Sequence, residues 1–294
     1  MKFKKDEKAF TLIELLVVIA IIALLLAILL PALTKVKALA KMVVCLTNHK
    51  TLVTAWKTYS ADNNGQLVGG NAASRDPDGS GGLSGKPVAS KFYSDWVIAP
   101  VEETPSGPVY NFISGGPTKL EYEHDGIRLG ALFPYVGDID PYHCPSDTRF
   151  RMSKPIASPS SFRSYSITVM MNGEKNYFKD KIGAKKDSQI KNSASRFVFI
   201  DDFDGRSFNM GSWVFGYDVD YPNNHKIFDK ISVWHSKKCN FSYADGHAEA
   251  YRWKDERTNA YCKERALQTG TSVTVGTSGD NDDIRFLAKG YRAR

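Results

Sequence analysis

None of the four cysteines stands in a C-x-x-C pair, so spacing supports neither a zinc ribbon nor a thioredoxin-like redox site. The chain also lacks H-E-x-x-H, G-x-S-x-G, a P-loop and a G-x-G-x-x-G set between strand and helix, so the usual hydrolase and nucleotide-binding chemistries are without support. No dense Lys/Arg block with interleaved aromatics occurs, and the net charge of +7 owes four lysines to the first eight residues. Nucleic acid is therefore not an expected partner. The most consequential absence is local: from Leu15 to Leu30 there is no polar side chain.

With its flanks this apolar run reaches 24 residues, Phe10 to Leu33, where a helix crossing a hydrocarbon core needs about 20. A leader carrying Lys2, Lys4, Lys5 and Lys8 precedes it and ends at Ala9, and one carboxylate, Glu14, sits just inside it. A carboxylate costs about 2.5–3.5 kcal/mol at mid-membrane and less near an end. Glu14 calls for a positive partner. A cut between Ala9 and Phe10 creates one, since the new α-amino group lies four residues before Glu14, on the same helix face or within reach of a neighbouring helix. An ordinary secretory signal fits poorly, because its apolar core is shorter and Lys35 and Lys37 come before the Ala38-Leu39-Ala40 site. A plain uncleaved anchor explains the length and the basic leader, but not Phe10-Thr11-Leu12-Ile13-Glu14.

Those residues resemble the processing site of type IV pilins and of the pseudopilins of type II secretion. The resemblance implies that a prepilin peptidase cleaves between Ala9 and Phe10 and methylates the amino group of Phe10. It also implies that Glu14 guides subunit assembly and that Pro31, the twenty-second residue from Phe10, breaks or loosens the helix. The family usually has Gly where this chain has Ala9.

Beyond Pro31, Val36, Leu39, Val43, Leu46, Val53 and Trp56 recur mostly at three- and four-residue spacing, with Lys35, Lys37, Lys41, Asn48 and Lys57 off that line. Asp62 to Gly65 then supplies helix-ending residues. The reading is a leader over 1–9, a transmembrane half-helix over 10–33 and an amphipathic half over 34–64. A Gly-, Pro- and Ser-rich region over 65–126 reads as long loops, and the β-sheet head spans 127–258. In the tail over 259–294 a linker-like stretch precedes an apolar patch, Ile284 to Leu287, which either docks or stays mobile. Ser164 to Ile167 and Arg196 to Asp201 read as strands, as do Asn240 to Ala244 and His247 to Trp253, with Asp245-Gly246 as a two-residue hairpin turn. The fold class is α+β, a long N-terminal helix packed on an antiparallel sheet.

Two further segments resemble bacterial pilin-like proteins with a prepilin N-terminus: Leu132-Phe133-Pro134-Tyr135 followed by Cys144-Pro145-Ser146-Asp147, and His235 followed, after nine intervening residues, by Asp245-Gly246. The simplest use of His235 is a hydrogen bond that fixes the turn at Asp245 and Gly246, with His247 close by. Metal ligation by His235, Asp245 and His247, helped by His143 and Asp147, is the alternative; Asp138, Asp140 and Asp201 to Asp204 offer oxygens for calcium, though solvated acidic loops are preferred. No metal, cofactor or catalytic residue is expected. Four cysteines outside the cytoplasm allow three pairings, or free buried thiols; Cys45–Cys144, tying the Cys-Pro loop to the helix, is preferred.

Together these features imply a structural subunit of a type IV pilus-like filament or a secretion pseudopilus. The expected partners are the inner membrane, the prepilin peptidase, the assembly machinery and other copies or related subunits. The precursor is a single-pass inner-membrane protein with its head outside the cytoplasm. A membrane-anchored adhesin using the loop-rich head is the alternative, and a tethered metallohydrolase a third.

Overall fold

No glycine interrupts the sequence before Gly65, and in the computed structural model a single helix, α1, spans Leu12–Asp62. The structure describes residues 12–71, 87, 94–111, 119–147, 162–173, 179, 181–203, 212–218, 220, 221, 223–227, 229, 231, 232, 234–267 and 275–294, without the side chains of 263–267. Ala9, Phe10 and Asp204 lie outside them. α1 ends as its sequence implies: Asn64 and Gly65 take φ of 54° and 75°, and the Gly65 N–H returns to the Ser60 carbonyl at 2.8 Å.

The chain divides into two units, Met1–Lys41 and Met42–Arg294. In the first, α1 is long and apolar enough to cross a membrane, and its leucines, isoleucines and valines are exposed rather than covered by the chain. Pro31 lies inside α1, which continues through it. Proline removes one hydrogen bond, to the carbonyl four residues back, and the flanking turns hold the helical path.

In the second unit the remaining elements follow in order. A hairpin, β1 (Val101–Thr104) with β2 (Gly107–Tyr110), precedes the helices α2 (Leu120–Arg128) and α3 (Phe133–Val136). Next come β3 (Tyr165–Ile167), β4 (Phe197–Asp201), the short pair β5 (Phe215–Gly216) and β6 (Lys226–Ile227), then β7 (Lys238–Tyr243) and β8 (Ala248–Arg252). Two helices close the chain, α4 (Glu256–Leu267) and α5 (Asp282–Tyr291). The main sheet is antiparallel in the order β3-β4-β7-β8. Its central β4 is buried at every residue, as its run of Phe, Val, Phe and Ile requires. This is the α+β pilin-like layout expected from the sequence.

The region over 65–126 contains regular elements after all, β1, β2 and most of α2. The C-terminal patch docks as a helix: the Asn281 side chain accepts from the Asp283 and Ile284 N–H groups, and Ile284, Leu287, Ala288 and Tyr291 are buried. Phe286 stacks on Tyr251 at 3.7 Å between ring centroids. Gly290 is required by closeness, since a Cβ there would fall 2.1 Å from the Phe197 ring.

Candidate functional site

The buried face of α1 begins at Cys45 and continues through Asn48, His49, Leu52, Val53, Ala55, Trp56 and Ser60. Val36, Leu39 and Val43, read as part of the same stripe, are exposed. Asn48, read as lying off the apolar line, is buried, because its amide donates to the His143 carbonyl at 2.8 Å and to the Tyr165 hydroxyl at 3.3 Å. A polar group can occupy a core position when its hydrogen bonds are supplied there.

Cys45 and His49, one turn apart, open a buried polar cluster. His49 Nε2 is hydrogen-bonded to Asp201 Oδ1 at 2.8 Å, with both side chains fully buried. The other Asp201 oxygen accepts the Asn240 N–H at 2.7 Å. Cys45 Sγ lies 3.1 Å from the Tyr165 hydroxyl and 3.5 Å from Asp201 Oδ1. On the other side of Cys45, Cys144 Sγ lies 3.3 Å from His235 Nε2. The donor atoms of Cys45, Cys144 and His235 all fall within 4.8 Å of one another, as do those of Cys45, His49 and Asp201.

Burial pushes the Cys45 thiol well above its ordinary range, with the neighbouring Cys144 and Asp201 adding to the effect. Cys144 goes the other way: burial opposes ionisation, but hydrogen bonds with Cys45 and His235 outweigh it and lower the thiol to about 7. For His235 burial favours the neutral ring, yet the Cys144 contact prevails and raises it. The pair Cys144–His235 is thus biased towards thiolate and imidazolium.

The sequence expected a Cys45–Cys144 bridge. The fold does bring the two sulfurs together, but all four cysteines are free thiols in this structure; each of the two thiols has a polar partner of its own, Tyr165 and Asp201 for Cys45 and His235 for Cys144.

His235 does not reach the hairpin turn. It precedes β7, whereas Asp245 and Gly246 follow it, and the six residues of that strand at about 3.3 Å each hold the two ends roughly 20 Å apart. The turn is supported from α1 instead, where Lys50 donates to the Gly246 carbonyl at 2.5 Å and Lys57 to the Ala244 carbonyl at 2.9 Å. It has three residues rather than two: Tyr243 N–H bonds the His247 carbonyl at 2.9 Å, and Gly246 supplies the positive φ of 97° that such loops demand. Asp245 and His247 do meet, Oδ1 to Nδ1 at 2.6 Å, but at the surface.

The remaining expected ligands lie elsewhere. His143 Nδ1 is bonded to the Phe162 carbonyl at 2.7 Å, and Asp147 accepts the Ser164 hydroxyl at 2.7 Å. Asp201 and Asp202 are buried rather than solvated, with Asp202 accepting the Ser166 hydroxyl. Sequence reasoning missed His49, Asn48 and the Cys144–His235 contact. The spacing of Cys45 and His49, four residues apart on the side of Leu52 and Trp56, was the available signal.

At the other end of the chain, residues 4–30 match the family model described as the prokaryotic N-terminal methylation motif. The matched segment contains Ala9, Phe10 and Glu14 and most of the apolar part of α1. No curated protein and no solved structure gives a significant match to the chain.

Proposed function

We propose that the chain is a structural subunit of a type IV pilus-like filament or a type II secretion pseudopilus. It is inserted in the inner membrane as a single-pass precursor with its head outside the cytoplasm, cleaved between Ala9 and Phe10 and methylated on Phe10. The reading rests on one observation: a prepilin-type methylation motif leads into a helix whose apolar side chains its own chain leaves exposed. An exposed apolar surface of this length needs lipid or other apolar helices around it. The membrane supplies the first and a filament of copies or related subunits the second. Glu14 then pairs with the new amino group of Phe10 on its own or a neighbouring subunit, and Pro31, with one hydrogen bond fewer around it, is where the helix loosens on assembly. The partners are the prepilin peptidase and the assembly machinery, and the subunit's role is structural.

Mass spectrometry of the protein from its native membrane tests this directly. The expected mature N-terminus is methylated Phe10. A chain that begins at Met1, or at Lys41 after the Ala38-Leu39-Ala40 site, overturns the proposal.

A further inference from the structure

We propose that Cys45, Cys144 and His235 form, with Asp201 as fourth donor, a buried structural site for a zinc ion. The three residues come from α1, from the Cys-Pro-Ser-Asp turn and from the segment entering β7. They meet only through the fold, yet their donor atoms lie within 4.8 Å of one another. Two thiols with an imidazole are the soft and borderline donors that zinc selects over harder cations.

The spacing fits the ion. Zinc bonds of about 2.3 Å to sulfur and about 2.0–2.2 Å to nitrogen or oxygen, directed tetrahedrally, set donor atoms about 3.4–3.8 Å apart. Cys144 Sγ to His235 Nε2 is 3.3 Å, and Cys45 Sγ to Asp201 Oδ1 is 3.5 Å. Within the Cys45, Cys144 and His235 group the ligand atoms are no more than 4.8 Å apart, so closing any of these pairs to the ideal spacing takes a change of about 1 Å, while Asp201 joins them from the side of Cys45.

The surroundings suit a metal-bound thiolate. The Ser146 N–H points at Cys144 Sγ from 3.4 Å, and the Tyr165 hydroxyl stands beside Cys45 Sγ. His49, bonded through Nε2 to Asp201 Oδ1, orients that carboxylate in the way outer residues orient metal ligands. Binding requires both sulfurs as thiolates and His235 Nε2 free of its proton, so the protons these groups carry leave to solvent, and the ion's charge offsets two thiolates that a dry core would otherwise reject. The ligands are buried and the coordination closed, which makes the site a clamp holding α1, the Cys-Pro loop and the start of β7, rather than a place for substrate.

The test uses the full chain extracted in detergent from its native membrane without chelator. Elemental analysis, mapping of unreduced peptides and melting with and without added zinc follow. The expected result is stoichiometric zinc, four thiols that react after denaturation and chelation, and a lower melting temperature once the ion is removed. Cys144→Ser should lose the zinc, while Cys239→Ser, buried outside the cluster, should keep it. If Cys144→Ser does not fold, the wild-type measurements decide alone. Recovery of a Cys45–Cys144 disulfide peptide overturns the proposal, and so does reduced protein that contains no zinc and gains no thermal stability when zinc is added. Neither outcome bears on processing at Phe10.

Discussion

Asp283, in the first turn of α5, is fully buried, and what surrounds it fixes how much the C-terminal segment contributes to the head. One carboxylate oxygen accepts the Tyr251 hydroxyl at 2.9 Å and the Lys254 N–H at 3.0 Å; the other accepts the Asp255 N–H at 2.9 Å and shares Lys254 at 3.1 Å. Asp283→Ala strips the acceptor from three donors at once. Hydrogen bonds to a charged group contribute about 1.5–3 kcal/mol each, and a donor left buried costs a similar amount. The half-buried Tyr251 recovers its bond from water, which leaves two backbone N–H groups. The lower half of their combined range, about 3–4 kcal/mol, is the expected loss.

For a unit of this size such a loss lowers the melting temperature by roughly 6–15 °C. Tryptophan fluorescence follows the transition in the full chain in detergent, since Trp253 is buried beside Tyr251. Tyr251→Phe removes a single bond and should cost about 1 kcal/mol. Asp283→Asn keeps one acceptor oxygen but presents amide hydrogens to the N–H groups it must bind, so most of the loss should remain. A cooperative melt within about 2 °C of wild type for Asp283→Ala refutes the reasoning, because it means that α5 is not docked through this carboxylate.

Three other outcomes are expected. Glu14→Ala should insert in the membrane normally but assemble poorly, and wild-type filament yield from that variant in a shear assay sinks the pairing with Phe10. Asp255 is held below its usual range by hydrogen bonds from Arg257, and Asp280 by the same guanidinium and the Thr277 N–H. A depressed carboxylate stabilises the fold above its unfolded pKa and loses that contribution as pH falls through its folded value, so Arg257→Gln should be slightly less stable than wild type at neutral pH, with the gap closing as the pH falls below the folded values of Asp255 and Asp280; a gap that persists or widens in acid would count against it. A chain beginning at Lys35 retains the whole compact unit from Met42 and should be soluble; membrane pelleting of that fragment shows that the anchor has been misplaced.

How far the sequence reveals this fold depends on whether a signal is periodic or tertiary. α1 is legible from end to end because an unbroken apolar run passes into three- and four-residue spacing within its 51 residues and its stop signal is made of left-handed-tolerant residues. β4 is legible from its β-branched and aromatic content, and the β7–β8 hairpin from aromatics on either side of Asp-Gly. α5 carries a readable signal too, an Asn281 cap followed by Ile284, Leu287, Ala288 and Tyr291 at helical spacing, but the preceding Gly-, Ser- and Thr-rich stretch dominates its window. Of the buried cluster, the sequence suggested only the approach of Cys45 to Cys144. Cys45, Cys144, Asp201 and His235 stand in four separate elements or turns, and only the packing of α1 on the sheet brings them together.

The interval between His235 and Asp245 has a geometric meaning once both ends are placed. β7 lies between them, and each end is tied to α1, at one through Cys45 beside Cys144 and His235, at the other through Lys50 and Lys57 on the hairpin carbonyls. From Cys45 to Lys57 the helix rises about 18 Å at about 1.5 Å per residue, and the six residues of β7 extend about 20 Å. The two lengths agree, so helix and strand run side by side over matched spans. A residue inserted in β7 moves one tether about 3.3 Å, beyond the reach of a hydrogen bond, and turns every following side chain to the opposite face. The spacing is therefore set by the length over which the anchor helix is fastened to the sheet. Lys57→Met should loosen the hairpin end alone, with faster amide exchange at Gly246 and His247 and unchanged exchange near His235; equal acceleration at both ends means that the two tethers are not independent.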